Sequence, residues 1–72
     1  MEEFKIITVR EQPCELYKIL KMQDLVQSGG HAKLEIAQGH IKVNGHIETR
    51  KAKKIVAGDI IEFENKKFKV IV

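Results

Sequence analysis

SGGHAKLEIAQGHIKVNGHIETRKAKK, residues 28–54, decides the fold. Ser28 precedes a helical pattern, and its hydroxyl can accept an amide hydrogen from the first turn of a helix. Gly39 follows Gln38 and supplies the left-handed residue that ends many helices. Between them Ala32 and Ile36 fall four apart on one side, leaving His31, Lys33 and Glu35 on flanks open to solvent or ligand. Next, HIKV (40–43) alternates polar and apolar residues, and Asn44-Gly45 tolerates the positive φ of a tight reversal, which predicts a hairpin. A two-residue turn pairs Lys42 with Ile47 and Ile41 with Glu48, setting charged residues opposite apolar ones. The return strand is therefore short, and residues 48–55 are expected to wrap as a loop.

Upstream, Phe4–Val9 (FKIITV) is short and β-branched and reads as a strand. Pro13 suits a first helical position because it has no amide hydrogen to leave unpaired, and Leu16, Ile19 and Leu20 recur at helical spacing, so their shared face is assigned to the core. Tyr17, one residue round from Leu16, is assigned to partial core packing. QDLVQSGG (23–30) connects the two helices. Downstream, VAGD (56–59) is a turn, and IIEFE and KFKVIV form two closing strands around Asn65-Lys66. Strand, two helices, then strands is an α+β order, with residues 1–72 forming one domain.

A chain of 72 residues buries only about 60% of the surface exposed by its unfolded form, so one thin hydrophobic layer is expected. The lone Cys14 has no partner for an internal disulfide and no second thiol for structural zinc, which fits a reducing cytoplasm. No apolar run approaches the roughly 18 residues of a membrane span, and MEEFKIITV is acidic where a signal peptide is basic. The chain therefore reads as soluble and cytoplasmic, with no membrane partner.

The charge pattern is uneven. The net charge is +3, yet His31–Lys54 holds six cations (Lys33, Lys42, Arg50, Lys51, Lys53, Lys54) against Glu35 and Glu48. The middle third thus supplies the whole positive balance, and His31, His40 and His46 lie there too. A one-sided basic surface takes a polyanionic partner, whereas a solvated charged loop takes none.

Enzymatic chemistry finds little support. No base is held near Cys14 in sequence, the histidines lack zinc-hydrolase spacing, and Glu62 and Glu64 share a strand face with no cleft between paired acids. There is no Walker loop and no GxGxxG, so no cofactor, metal or small-molecule substrate is expected. The basic residues carry the remaining signal. The first turn of the second helix leaves amide hydrogens unpartnered, and Gly29 and Gly30 would let a phosphate approach them, with Lys33 one turn inside. If the next strand brings Lys42 beside that start and residues 50–54 lie over the same edge, the cations converge on a groove for a nucleic-acid backbone.

Ser28, Ala32, Lys33, Ile36, Gly39, Ile41, Val43-Asn44-Gly45, Arg50-Lys51 and Gly58-Asp59 together resemble the signature of the S-four RNA-binding domain, named after the fourth small-subunit ribosomal protein. The similarity spans residues 13–61, and SGGHAK resembles the small stand-alone bacterial members. The resemblance implies a helix-turn-helix packed on a β-hairpin, the alpha-L motif, binding structured RNA, often ribosomal or transfer RNA, and through it the ribosome. It implies RNA-facing roles for Lys33, Lys42, Asn44, Arg50 and Lys51 and a basic extension at Lys53 and Lys54, to which the open helix start read above adds Gly29, Gly30 and His31 as candidate contacts. Many members have Arg-Leu-Asp where this chain has Cys14-Glu15-Leu16, and arginine where it has Gly29, a glycine shared by the stand-alone group.

With no Trp, and with Phe4, Tyr17, Phe63 and Phe68 outside the basic third, base stacking is poorly provided and recognition by shape and backbone is expected. Two other readings compete. A protein-interaction module would turn the same basic face toward an acidic partner. A sulfur carrier would share the length and the Asn-containing turn, but such carriers end in Gly-Gly and this chain in Lys69-Val70-Ile71-Val72.

Overall fold

The computed structural model describes residues 3–10 and 13–72. Two helices pack on one face of a five-stranded sheet. The elements run β1 (Glu3–Thr8), β2 (Cys14–Glu15), α1 (Leu16–Met22), α2 (Gly29–Ala37), β3 (Ile41–Val43), β4 (His46–Ile47), β5 (Lys54–Ile55), β6 (Ile60–Phe63) and β7 (Lys66–Ile71). The sheet order is β1-β7-β6-β3-β4, while β2 and β5 form a separate two-stranded ladder. Only the β1–β7 pair of the main sheet is parallel. The α+β architecture, mostly antiparallel, is the one expected from the sequence.

The core follows from two periodicities. Alternate strand residues Ile7, Val9, Ile41, Val43, Ile61, Phe63, Phe68 and Val70 point to one face, where Leu16, Ile19 and Leu20 of α1 and Ala32 and Ile36 of α2 meet them. Burying each large apolar side chain contributes about 1.5–3 kcal/mol, the main force holding so small a domain together. Among the described residues no polar or charged residue is buried.

Both helix ends close in the same way. Asp24, at φ 55°, and Gly39, at φ 79°, take the left-handed position after α1 and α2. Leu25 and His40 then donate their amides to the carbonyls of Leu20 and Glu35, and Asp24 and Gly39 donate theirs to Lys21 and Ile36. This satisfies carbonyls that a helix end otherwise orphans. Ser28 caps α2 as expected, its Oγ accepting from the His31 amide at 3.1 Å.

The first helix begins later than the sequence suggests. Pro13 lies outside it, and Glu15 holds the cap position without a capping side chain. Long-range backbone bonds do the work instead: the Leu16 amide donates to the Lys53 carbonyl at 2.9 Å and the Tyr17 amide to that of Lys51 at 3.2 Å. Cys14 and Glu15 pair with Ile55 and Lys54. The expected loop over 48–55 is thus a loop only as far as Lys53, tied by its backbone to the start of α1.

The hairpin is as expected. Lys42 faces Ile47 and Val43 faces His46 across Asn44-Gly45, both at positive φ. The second reversal is shifted by one residue, because Glu64 and Asn65 take the positive-φ positions and Lys66 already pairs with Phe63 in β7.

Candidate nucleic-acid interface

The basic stretch reaches α1 through its backbone, and its side chains follow. Glu15, beside that junction, accepts from Lys18 at 3.1 Å. The Lys18 hydrogen bond holds the Glu15 carboxyl below its usual range; partial desolvation opposes this, and the charges of Lys18, Lys54 and Lys33 add to the lowering. Three lysines from three elements therefore act on one carboxylate. From α2, the Lys33 ammonium also sits 4.9 Å from the centroid of the Tyr17 ring, and Lys18 approaches the same ring at 6.0 Å.

A second carboxylate organises the loop. Glu48 takes the Arg50 guanidinium in a forked pair, Nε to Oε2 at 3.0 Å and Nη2 to Oε1 at 3.3 Å, and also accepts the Arg50 amide. Those bonds, above all the side-chain one, keep the Glu48 carboxyl low, with Lys53 adding its charge. Arg50 is thus held in place while remaining 72% exposed. Lys51 and Lys54 are exposed and, among the described residues, carry no ion pair shorter than 4 Å.

At the start of α2 the amides of Gly29 and Gly30 have no acceptor among the described residues. A Cβ at Gly29 would meet nothing within 4 Å, and at Gly30 only Ser28 Oγ at 3.8 Å. Neither packing nor positive φ demands glycine there. Lys33, four residues on from Gly29, shares its helix face. The two helix starts and the basic loop are joined through Lys33, Tyr17 and Lys51.

Three expected site residues are placed otherwise. Lys42 does not lie beside the start of α2: it projects from the outer sheet face opposite Glu62, and lines an open groove of about 520 Å³ with Glu35, Gly39 and His40 from the far end of α2. Strand alternation turns it away, because Ile41 and Val43 on either side face the core. Asn44 has its amide committed within the protein, Nδ2 donating to Asp59 Oδ1 at 3.1 Å and Oδ1 accepting from the Ile60 amide at 2.9 Å. His31 is a brace for its own helix. Its Nδ1 accepts from the Gln27 amide, so the ring hydrogen resides on Nε2 and points at Glu35 Oε1. Glu35 also takes His40 on its other oxygen, and that bond, more than the one from His31, lowers its carboxyl against an opposing desolvation.

Tyr17 packs partly against the core, as expected, while Lys18, which approaches its ring, went unread because it lies outside the basic third of the sequence. The heptad-like positions of α1 give a signal only for Leu16, Ile19 and Leu20. Cys14 is half-buried against the core, as expected. No group of three or more metal-ligating side chains occurs among the described residues.

Comparison with known proteins identifies the family and the fold. The family model described as "S4 domain" matches residues 7–71. The "Putative RNA-binding protein YbcJ" of Escherichia coli K12 is 44% identical over 57 residues, covering 79% of this chain and 81% of that one. The "Probable ribosome maturation protein RlbA" of Bacillus subtilis 168 is 33% identical over 58 residues, covering 81% and 82%. The solution structure of E. coli YbcJ, described as revealing an αL motif involved in RNA-binding, superposes with a TM-score of 0.70 at 38% identity, over 93% of this chain and 86% of that one. Two helices set against the Asn44-Gly45 hairpin, with the signature residues between Ser28 and Asp59, are the αL arrangement, and the chain belongs to the S4 domain family.

Proposed function

We propose that this protein binds structured RNA, ribosomal or transfer RNA, on the face where the starts of α1 and α2 meet the loop over residues 48–54, and that it acts in the cytoplasm without catalysis. The observation that carries the reading is the junction itself: Lys33 of α2 lies over Tyr17 of α1, whose amide is held by the carbonyl of Lys51. Lys33 lies one helical turn from Gly29, whose amide, like that of Gly30, is open, and the basic loop is tied by its backbone to the start of α1. Such a surface suits a folded backbone more than a base sequence, because ammonium and guanidinium groups displace counterions from phosphates whatever the bases are. The names of the relatives, one for RNA binding and one for ribosome maturation, support the same class of partner.

Affinity should fall steeply with salt, by about 0.7–0.9 in the log-log slope per phosphate neutralised. In fluorescence anisotropy with a labelled RNA hairpin, Arg50→Ala combined with Lys51→Ala is expected to flatten the slope by roughly 1.4–1.8. The fold should stay intact, since both side chains lie at the surface. An unchanged slope, or equal binding to an acidic peptide, would favour the protein-interaction reading.

A further inference from the structure

Tyr17 is the aromatic group at the centre of the basic surface, although in sequence it lies outside the basic third. Its neighbours Leu16, Ile19 and Leu20 are fully buried, whereas Tyr17 is only half-buried at the edge of the core. While part of the side chain packs against the core, two lysine ammonium groups approach its ring, Lys33 at 4.9 Å and Lys18 at 6.0 Å. Its hydroxyl has no hydrogen-bond partner among the described residues. Its backbone is tied by the bond to the Lys51 carbonyl, and its side chain rests against the core.

We propose that Tyr17 is a stacking platform for one unpaired nucleobase of the docked RNA. The base displaces the ammonium groups from the ring, and Lys33 and Lys18 move to the phosphates on either side of it. The magnitudes favour the exchange. An exposed cation–π contact is worth about two- to fivefold in an equilibrium. A base stacked on an aromatic side chain is worth about five- to hundredfold, and the released lysines keep a favourable charge partner. This rests on the RNA reading above and adds to it a preference for RNA with an unpaired nucleotide beside the backbone it docks.

Tyr17 is the chain's one tyrosine and there is no tryptophan, so intrinsic fluorescence reports on this ring alone. The test uses two synthetic RNA hairpins of equal length, one fully paired and one with a single bulged nucleotide, titrated by fluorescence and by anisotropy. The bulged hairpin is expected to quench Tyr17 saturably and to lose about five- to hundredfold in affinity with Tyr17→Leu. Tyr17→Phe should bind within about twofold of the unsubstituted protein, since it keeps the ring face. The salt slope should stay the same in both variants, because no phosphate contact is removed. Binding without quenching, or a folded Tyr17→Leu that binds the bulged hairpin at full strength, would overturn the stacking and leave RNA binding standing. Should neither hairpin bind, the RNA reading fails and the stacking with it. The quenching measurement on the unsubstituted protein decides the matter even if the leucine variant does not fold.

Discussion

Replacing Asn44 by glycine should destabilise the protein while leaving the RNA affinity of folded molecules unchanged. Its side chain bridges two turns, donating to Asp59 and accepting from Ile60. Asp59 in turn accepts the Val56 amide on its other oxygen, so removing Asn44 loosens the whole junction. Both bonds are exposed, which places each in the lower half of the usual 0.5–1.5 kcal/mol, a loss of about 1–2 kcal/mol in all. Asn44 sits at φ 52°, where glycine relieves about 1 kcal/mol of left-handed strain and loses a similar amount through unfolded-state entropy, so those effects offset. The expected fall in melting temperature is roughly 4–16 °C for a domain of this size. Asn44→Ala keeps the strain and loses both bonds, and should also fall by about 1–2 kcal/mol. Asn44→Asp retains the acceptor for Ile60 but faces the Asp59 carboxylate, so its deficit should shrink in acid. Urea unfolding followed by circular dichroism gives these values, and anisotropy gives the affinity. A glycine variant of full stability, or one that is stable yet loses RNA, would refute the structural assignment and return Asn44 to the interface.

Three further outcomes can be measured on the same material. Gly39→Ala introduces a Cβ at φ 79° and 3.4 Å from Ile47 Cγ2, and should lose about 1–2 kcal/mol in urea unfolding, whereas Gly29→Ala, with open space around it, should be close to neutral. Glu48→Gln keeps an acceptor for the Arg50 amide but frees the guanidinium from its counter-charge, so RNA affinity at low salt should rise by up to about fivefold. The carboxyls of Glu15, Glu35 and Glu48 all lie below their usual value of 4.5 in the folded state. Their contribution is therefore complete above about pH 4.5 and is lost as pH falls through the folded values, so the thermal midpoint should hold from pH 7 to 5 and decline below that.

What could be read from sequence was what a few adjacent residues decide. Ser28 and Gly39 bracket α2 through bonds spanning three to five residues, and Asn44-Gly45 sets its own turn, so those elements and their core faces were legible. The start of α1 was not. Pro13 offered a local signal, but the Leu16 amide finds its acceptor at Lys53, and no nearby residue records that bond. The parallel pairing of β1 with β7 joins the two ends of the chain and is equally silent locally. The same division runs through the interface. The cations of 50–54 and the helix-start glycines were evident from composition and capping. Tyr17 and Lys18 join them only because the loop is tied to α1, and Lys42 leaves them because of which way β3 faces.

Amide chemical-shift mapping during titration with an RNA hairpin tests the interface most directly. Signals of Tyr17, Gly29, Gly30, Lys33 and Lys51–Lys54 should move together and saturate at one concentration, while Lys42, Lys69 and Ile71 on the outer sheet face stay in place. Shifts centred on the outer face, or spread evenly around the molecule, would contradict the account.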